Sequence, residues 1–285
     1  METSKYMMPD DFTSSYYLVK DTSHVKVHSF VSPGSMFANA THIIELPTQL
    51  ILIDGQFFAQ YAQEFRKLAN GLNKPITRFY ITHDHPDHYL GMGDAFPDVT
   101  VYALPEIKDA INHRGNHELT EKQHHFGSLI ATRLNYPSIT VEPGVEWIDG
   151  VQFVFERVLN TESPVTLVIK LPDLAIAIVQ DILYHNTHAF IAAPVAEWVA
   201  ALQRLQHEPY DIFLPGHGIP AGKADIDNAI SYLQKAYDIF LKATTEEAYK
   251  QSLLKIYTHY AGAKLIDIYL PLLFRNKEVA ATHPD

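Results

Sequence analysis

No cysteine occurs in the 285 residues. Disulfides and thiolate sites are therefore excluded, and any metal must be held by histidine and carboxylate. No apolar run approaches the roughly 18 residues of a membrane-spanning helix. Met1 to Thr22 has no basic patch followed by an apolar stretch, so no signal peptide is read and a cytoplasmic location is expected. Basic charge is scarce: 22 Lys and Arg face 33 Asp and Glu, a net −11 with His neutral. That field disfavours nucleic acid and anionic membrane as partners. No internal repeat or low-complexity linker breaks the chain.

What remains is ordinary globular composition, 47% hydrophobic and 19% charged, enough to bury a sizeable core. Residues 1–24 read as an arm or edge segment. From Val25 the pattern is strand-like: Val25–Val31, Ala38–Leu46 and Gln49–Asp54 are predicted as antiparallel strands joined by short turns. Phe58, Tyr61, Phe65 and Leu68 recur at helical spacing and end at Asn70-Gly71. Further strands are predicted at Ile76–Ile81, Val99–Ala103, Val151–Leu159, Val165–Lys170, Leu174–Val179 and Asp211–Leu214, with a helix over Val195–Leu205. Beyond Lys223 the pattern is purely helical, and Thr244 to Glu247 reads as a capping box. The boundaries expected are an arm at 1–24, one domain at 25–222 and a helical extension at 223–285 packed on that domain. The apolar stretch Leu265–Phe274 suits either core cover or a homodimer contact.

The chain holds 16 histidines, and three fall in one run: Thr82-His83-Asp84-His85-Pro86-Asp87-His88. The run follows a strand, and open α/β sheets carry ligands at the carboxyl ends of their strands. Residues two apart in an extended loop point the same way, so His83 and His85 can reach one ion. Asp87 and His88 can reach a second. Imidazole and carboxylate suit zinc and its neighbours among the transition metals. Three more ligand types sit at predicted strand ends: Glu162, Asp181 and His217. Asp54, also at a strand end before Gly55, suits either a turn or a support behind the ligands. His113, Arg114, His117, His124 and His125 are spaced irregularly and read as a solvated helical stretch or a flap near the site.

The loop matches the His-x-His-x-Asp-His motif in full, and the chain resembles the metallo-β-lactamase superfamily over roughly residues 25–222. The resemblance implies an αββα sandwich of two mixed β-sheets flanked by helices. It also implies two divalent ions, with zinc expected and Mn2+ or Fe2+ as alternatives. His83, His85 and Glu162 would hold the first ion, Asp87, His88 and His217 the second, with Asp181 bridging. A bridging hydroxide would be the nucleophile, and Asp87 or Asp181 would relay its proton. Tyr184 and His188 would line the substrate mouth.

One position departs from the pattern. No histidine lies between His125 and His185, so the usual third histidine is replaced by Glu162, nineteen residues before Asp181. Thr161-Glu162-Ser163-Pro164 is similar to a Thr-Glu-Ala-Pro segment of the alkylsulfatase branch, whose members are much longer and carry a second glutamate where Asp181 stands. The implied activity is hydrolysis of an ester, lactone, amide or related bond of a small molecule. The alternatives are sulfate-ester hydrolysis and a non-catalytic metal-binding or sensor protein of the same fold.

Overall fold

The computed structural model describes residues 6–282. Strands β1 (Ser15–Asp21), β2 (Lys26–Val31), β3 (Ala40–Glu45), β4 (Leu50–Ile53), β5 (Ile76–Tyr80), β6 (Val101–Ala103) and β7 (Ile139–Thr140) form one sheet in that order. Its first four strands are antiparallel; β4 to β7 are parallel. Strands β8 (Gly144–Ile148), β9 (Val151–Leu159), β10 (Val165–Leu171), β11 (Ile176–His185) and β12 (Ile212–Gly218) form the second sheet, in the order β12-β11-β10-β9-β8. Only β11 and β12 are parallel there. The helices are α1 (Ala59–Gly71), α2 (Met92–Ala95), α3 (Pro105–Phe126), α4 (Ala196–His207), α5 (Lys223–Lys242), α6 (Glu246–Ile256) and α7 (Ala263–Thr282). Parallel neighbours need a crossover, and α1, α3 and α4 supply it between β4 and β5, β6 and β7, and β11 and β12.

The alternation of β10 and β11 shows why two layers of core form. Leu167, Ile169 and Leu171 join Ile176 and Ile178 in the core that also takes Ile43, Phe65 and Phe79. Val168, Ala177 and Val179 face the other way, onto Trp198 of α4, Leu233 of α5, Tyr249 of α6 and Tyr269 of α7. The C-terminal helices thus bury the outer face of the second sheet. Each large apolar side chain so covered contributes about 1.5–3 kcal/mol. Leu265, Ile266, Tyr269, Leu270 and Leu273 of α7 are core residues, while Pro271 lies exposed inside the helix. No helix among the described residues is long and apolar enough to cross a membrane.

Two differences from the sequence expectation matter for the site. Asp181 does not follow its strand but lies within β11, which runs on to His185. Pro215-Gly216-His217-Gly218 is likewise the end of β12 rather than a loop after it. The register explains both: Gln180 faces Pro215 and Tyr184 faces His217, so β11 carries extra residues between these pairs and bulges there. The bulge hides the strand's continuation from a period-two reading. Of the two readings of residues 1–24, Ser15–Asp21 takes the second: it is an edge strand paired with β2.

Candidate metal centre

Five chain segments meet at one end of the sandwich. β4 ends at Asp54, whose φ of 54° turns the chain away. β5 leads into Thr82–His88. Glu162 sits in the turn between β9 and β10, opened by Asn160 at φ 55° and closed by Asn160 N donating to Pro164 O at 3.0 Å. Leu167 N donates to Thr82 O at 2.7 Å, which ties that hairpin to the histidine loop. β11 contributes Asp181 from its bulge, and β12 contributes His217.

The result is two ligand groups with one shared member. His83, His85, Glu162 and Asp181 each bring a ligand atom within 4.8 Å of the others, and so do Asp87, His88, Asp181 and His217. Glu162 Oε1 lies 2.9 Å from His85 Nδ1, and Asp181 Oδ1 lies 3.2 Å from His88 Nε2. Asp181 Oδ2 is 3.3 Å from His217 Nε2 and 3.7 Å from His83 Nε2; Asp87 Oδ2 is 3.1 Å from His217 Nε2. Many of these approaches are not hydrogen bonds. His83 Nε2, His88 Nε2, both Glu162 oxygens and Asp181 Oδ1 are buried without a hydrogen-bond partner. One orphaned polar atom costs about 1–3 kcal/mol. Five converging on one spot fit a pair of divalent ions, which would satisfy all of them.

The remaining ring nitrogens are already committed. His88 Nδ1 donates to Asp54 Oδ2 at 2.9 Å, His217 Nδ1 to Phe37 O at 2.9 Å, and His83 Nδ1 faces Thr82 Oγ1 at 3.2 Å. Each leaves Nε2 for a ligand role, the arrangement that fixes tautomer and ring direction in metal sites. Gly216 is required beside them: a Cβ there would lie 1.8 Å from Asp181 Oδ1.

Asp54 turns the chain and also stands behind the candidate ligands. It is fully buried and accepts from Thr82 N, Thr82 Oγ1, His88 Nδ1 and Gln180 Nε2. Gln180 in turn accepts from His42 Nε2 at 3.0 Å, and His42 also donates to Pro215 O at 3.2 Å. Burial pushes His42 down to about 4, so it is neutral. Sequence reading missed Gln180 and His42. The signal was there: a lone glutamine inside an apolar strand must find a partner. Gln180 holds φ 44°, a region non-glycine residues avoid. Gln180→Gly accepts that backbone and removes the buried side chain with its bonds to Asp54 and His42. It is expected to weaken metal binding by about 10–100-fold, read by chelator competition.

Without ions the ligands neutralise one another. Burial lowers His85, but Glu162, Asp87 and Asp181 overcome it and hold it up to about 9. Burial likewise lowers His217, yet Asp181 and Asp87 raise it to about 10, and the same carboxylates with Asp54 hold His88 well above its ordinary value. Burial raises Glu162 to about 7 against the pull of His85. Burial also opposes ionisation of Asp87 and Asp181, but the imidazoliums keep both carboxyls well below the usual range. The sign for metal binding follows. At neutral pH these three imidazoles carry protons that an incoming ion must displace. Metal affinity therefore rises with pH through the range of about 9 to 10 in which His85 and His217 lose theirs. Adding metal to chelated protein in weak buffer at pH 7 should release about three protons, detectable with an indicator dye.

All seven residues read from the sequence as candidate ligands come together here. Tyr184 lines the adjoining cavity, donates to Asp181 Oδ2 at 2.7 Å and stacks on His217 at 4.8 Å. His188 does not fill its expected role. It is fully buried outside the cavity, with Nδ1 2.9 Å from Tyr232 Oη and its backbone N bonded to Ala261 O, because the C-terminal helices cover that loop. The histidine-rich segment is the second half of α3, and none of its histidines joins a ligand group among the described residues. Arg114 pairs with Asp84 and so docks the helix on the ligand loop.

The Metallo-beta-lactamase superfamily matches residues 36–217. The chain belongs to that superfamily. It is 28% identical over 193 residues to the Alkyl/aryl-sulfatase BDS1 of Saccharomyces cerevisiae, covering 56% of this chain and 30% of that protein. It is 26% identical over 238 residues to a Linear primary-alkylsulfatase of Pseudomonas sp., covering 68% and 44%. The chain thus spans less than half the length of these curated relatives. Among solved structures, a metallo-beta-lactamase from Pontibacter korlensis superposes with a TM-score of 0.58 at 19% identity, over 77% of this chain and 99% of that one. The sec-alkylsulfatase Pisa1 of Pseudomonas sp. gives 0.55 at 18% identity, over 84% and 45%. These likenesses establish the fold.

Proposed function

We propose that the chain hydrolyses an ester, lactone, amide or related bond of a small molecule. His83, His85 and Glu162 would hold one divalent ion, Asp87, His88 and His217 a second, and Asp181 both. One observation carries the reading: two ligand groups share a carboxylate and meet at a cavity of about 360 Å³. When bound, the ions supply Lewis-acid polarisation and acidify water beside them. The donor set, four imidazoles and three carboxylates, suits zinc, with Mn2+ or Fe2+ favoured as oxygen ligands increase.

The side chains supply the rest. Asp87 lies on the cavity wall, with Oδ2 held by His217, and takes the proton of the attacking water. Burial and the Asp181 charge keep the Tyr184 hydroxyl protonated, so it remains a donor. Its bond and its stacking hold Asp181 and His217 in place.

Sulfate-ester hydrolysis is the second reading, supported by similarity to the two alkylsulfatases and by Glu162 in the Thr161–Pro164 segment. Chromogenic esters, lactones, β-lactams and sulfate esters, each assayed with added Zn2+ or Mn2+, separate these readings. Turnover of sulfate esters alone selects the second. Tight metal binding with no turnover of any substrate overturns both in favour of a non-catalytic metal protein.

A further inference from the structure

The cavity has two chemically different ends. His85, Asp87, Glu162, Asp181 and His217 line one. Phe37, Phe57, Phe126, Phe190, Leu265 and Ile268 make up most of the rest, with Glu121, Lys122 and His125 of α3 at one side. These apolar residues come from distant parts of the chain. Phe126 closes α3, and its ring meets Phe57 and Phe58 edge-on at 5.5 and 5.6 Å. Phe190 stands edge-on to His85 at 5.5 Å and to Tyr269 at 5.8 Å, joining the metal end to α7. Leu265 and Ile268 lie one turn apart on α7, outside the segment that matches the superfamily.

Two features say what this wall is for. Phe126 is 40% and Ile268 52% exposed, so both present apolar surface to the cavity and its mouth. Large exposed apolar side chains brought together in a concave site mark a binding surface. The lone lysine lining the cavity, Lys122, donates to Glu121 Oε1 at 2.9 Å, so the wall away from the ligand groups carries a closed ion pair. The other polar side chain there, His125, has its Nδ1 2.8 Å from Glu121 O. α7 is a firm wall, because its other face is core and Tyr269 Oη lies 3.0 Å from Tyr249 Oη.

We infer that the cavity takes a substrate with an extended apolar group beside the scissile bond, an alkyl chain or aromatic ring. Phe126 on α3 and Ile268 on α7 are the specificity-determining residues that set how much of that group is accepted. This rests on the hydrolase reading for the metal end, but not for the apolar end. The reacting head lies over the ligand groups, and the chain runs between the Phe57–Phe126 pair and the α7 wall.

The test uses probes that cannot be hydrolysed. Two homologous series, alkanesulfonates and alkanoates from short to long, are titrated calorimetrically into metal-reconstituted protein. In at least one series Kd should fall about three- to fourfold per added methylene up to a limiting length. Phe126→Ala and Ile268→Ser should each flatten that dependence. Ile268→Trp should move the limit to shorter chains. Circular dichroism checks that each variant is folded. Absent binding, a Kd independent of length in both series, or a slope and limit unchanged in all three variants overturns the proposal. A length-dependent Kd in protein that turns over no ester or sulfate would leave this inference standing while removing the hydrolase reading.

Discussion

Asp181→Asn is expected to abolish tight binding of both ions and to lower turnover by at least about a thousandfold. Asp181 is the one residue in both ligand groups, and its two oxygens face His83, His88 and His217. The amide keeps the volume but replaces one ligand oxygen with a donor and removes a charge. The three imidazoles then lose part of the field that holds them in place. Metal content after dialysis and turnover on the best substrate of the panel read the effect. Asp84→Asn is the control. Asp84 lies between His83 and His85 in sequence yet belongs to neither group, and pairs with Arg114 on the surface of α3. Loss of that pair costs at most about 1 kcal/mol. If Asp181→Asn retains both ions and loses less than about tenfold in rate, Asp181 is not a shared ligand.

The contrast between Asp84 and Asp181 also shows what could be read from the chain alone. The histidine loop was legible because its ligand types are packed into seven residues at a strand end. The β2–β4 strands were legible as apolar runs bounded by turn residues, buried at nearly every position, and α1 was legible because its buried Ala62, Phe65 and Ala69 recur at helical spacing. The cap of α6 falls one residue later than the Thr244–Glu247 box would put it: Thr245 accepts from Ala248 N. The cavity wall was not legible. Positions 37, 57, 126, 190 and 268 share no spacing, and only the packing of α3 and α7 brings them together. The direction of His188 depends on helices more than forty residues downstream, ending in its contact with Tyr232. The full length of α3 was obscured by its polar surface, although Ile107, Ile111, Gly115 and Leu119 keep one buried stripe.

Glu162 is where sequence and structure together make the sharpest demand. Its side chain is 1% exposed, both oxygens lack hydrogen-bond partners, and it faces His83 and His85. A glutamate that merely closed a turn would point to water. With it, each ligand group consists of two imidazoles and two carboxylates, so the two ions would sit in matched sets. Three carboxylate charges against four from the ions make a milder electrophile than a site with a third histidine. Glu162→Ala should cut metal content from two ions to one and turnover by at least about a hundredfold, with the second group intact. The fold should persist, since the hairpin is held by Asn160, Ser163 and Leu167. Glu162→His should restore the second ion, raise its preference for zinc over Mn2+, and shift the acidic limb of the pH–rate profile to lower pH as the bound water becomes more acidic. Two full ions in Glu162→Ala would show that the glutamate is not a ligand, and failure of Glu162→His to recover metal would show that the site was built around a carboxylate.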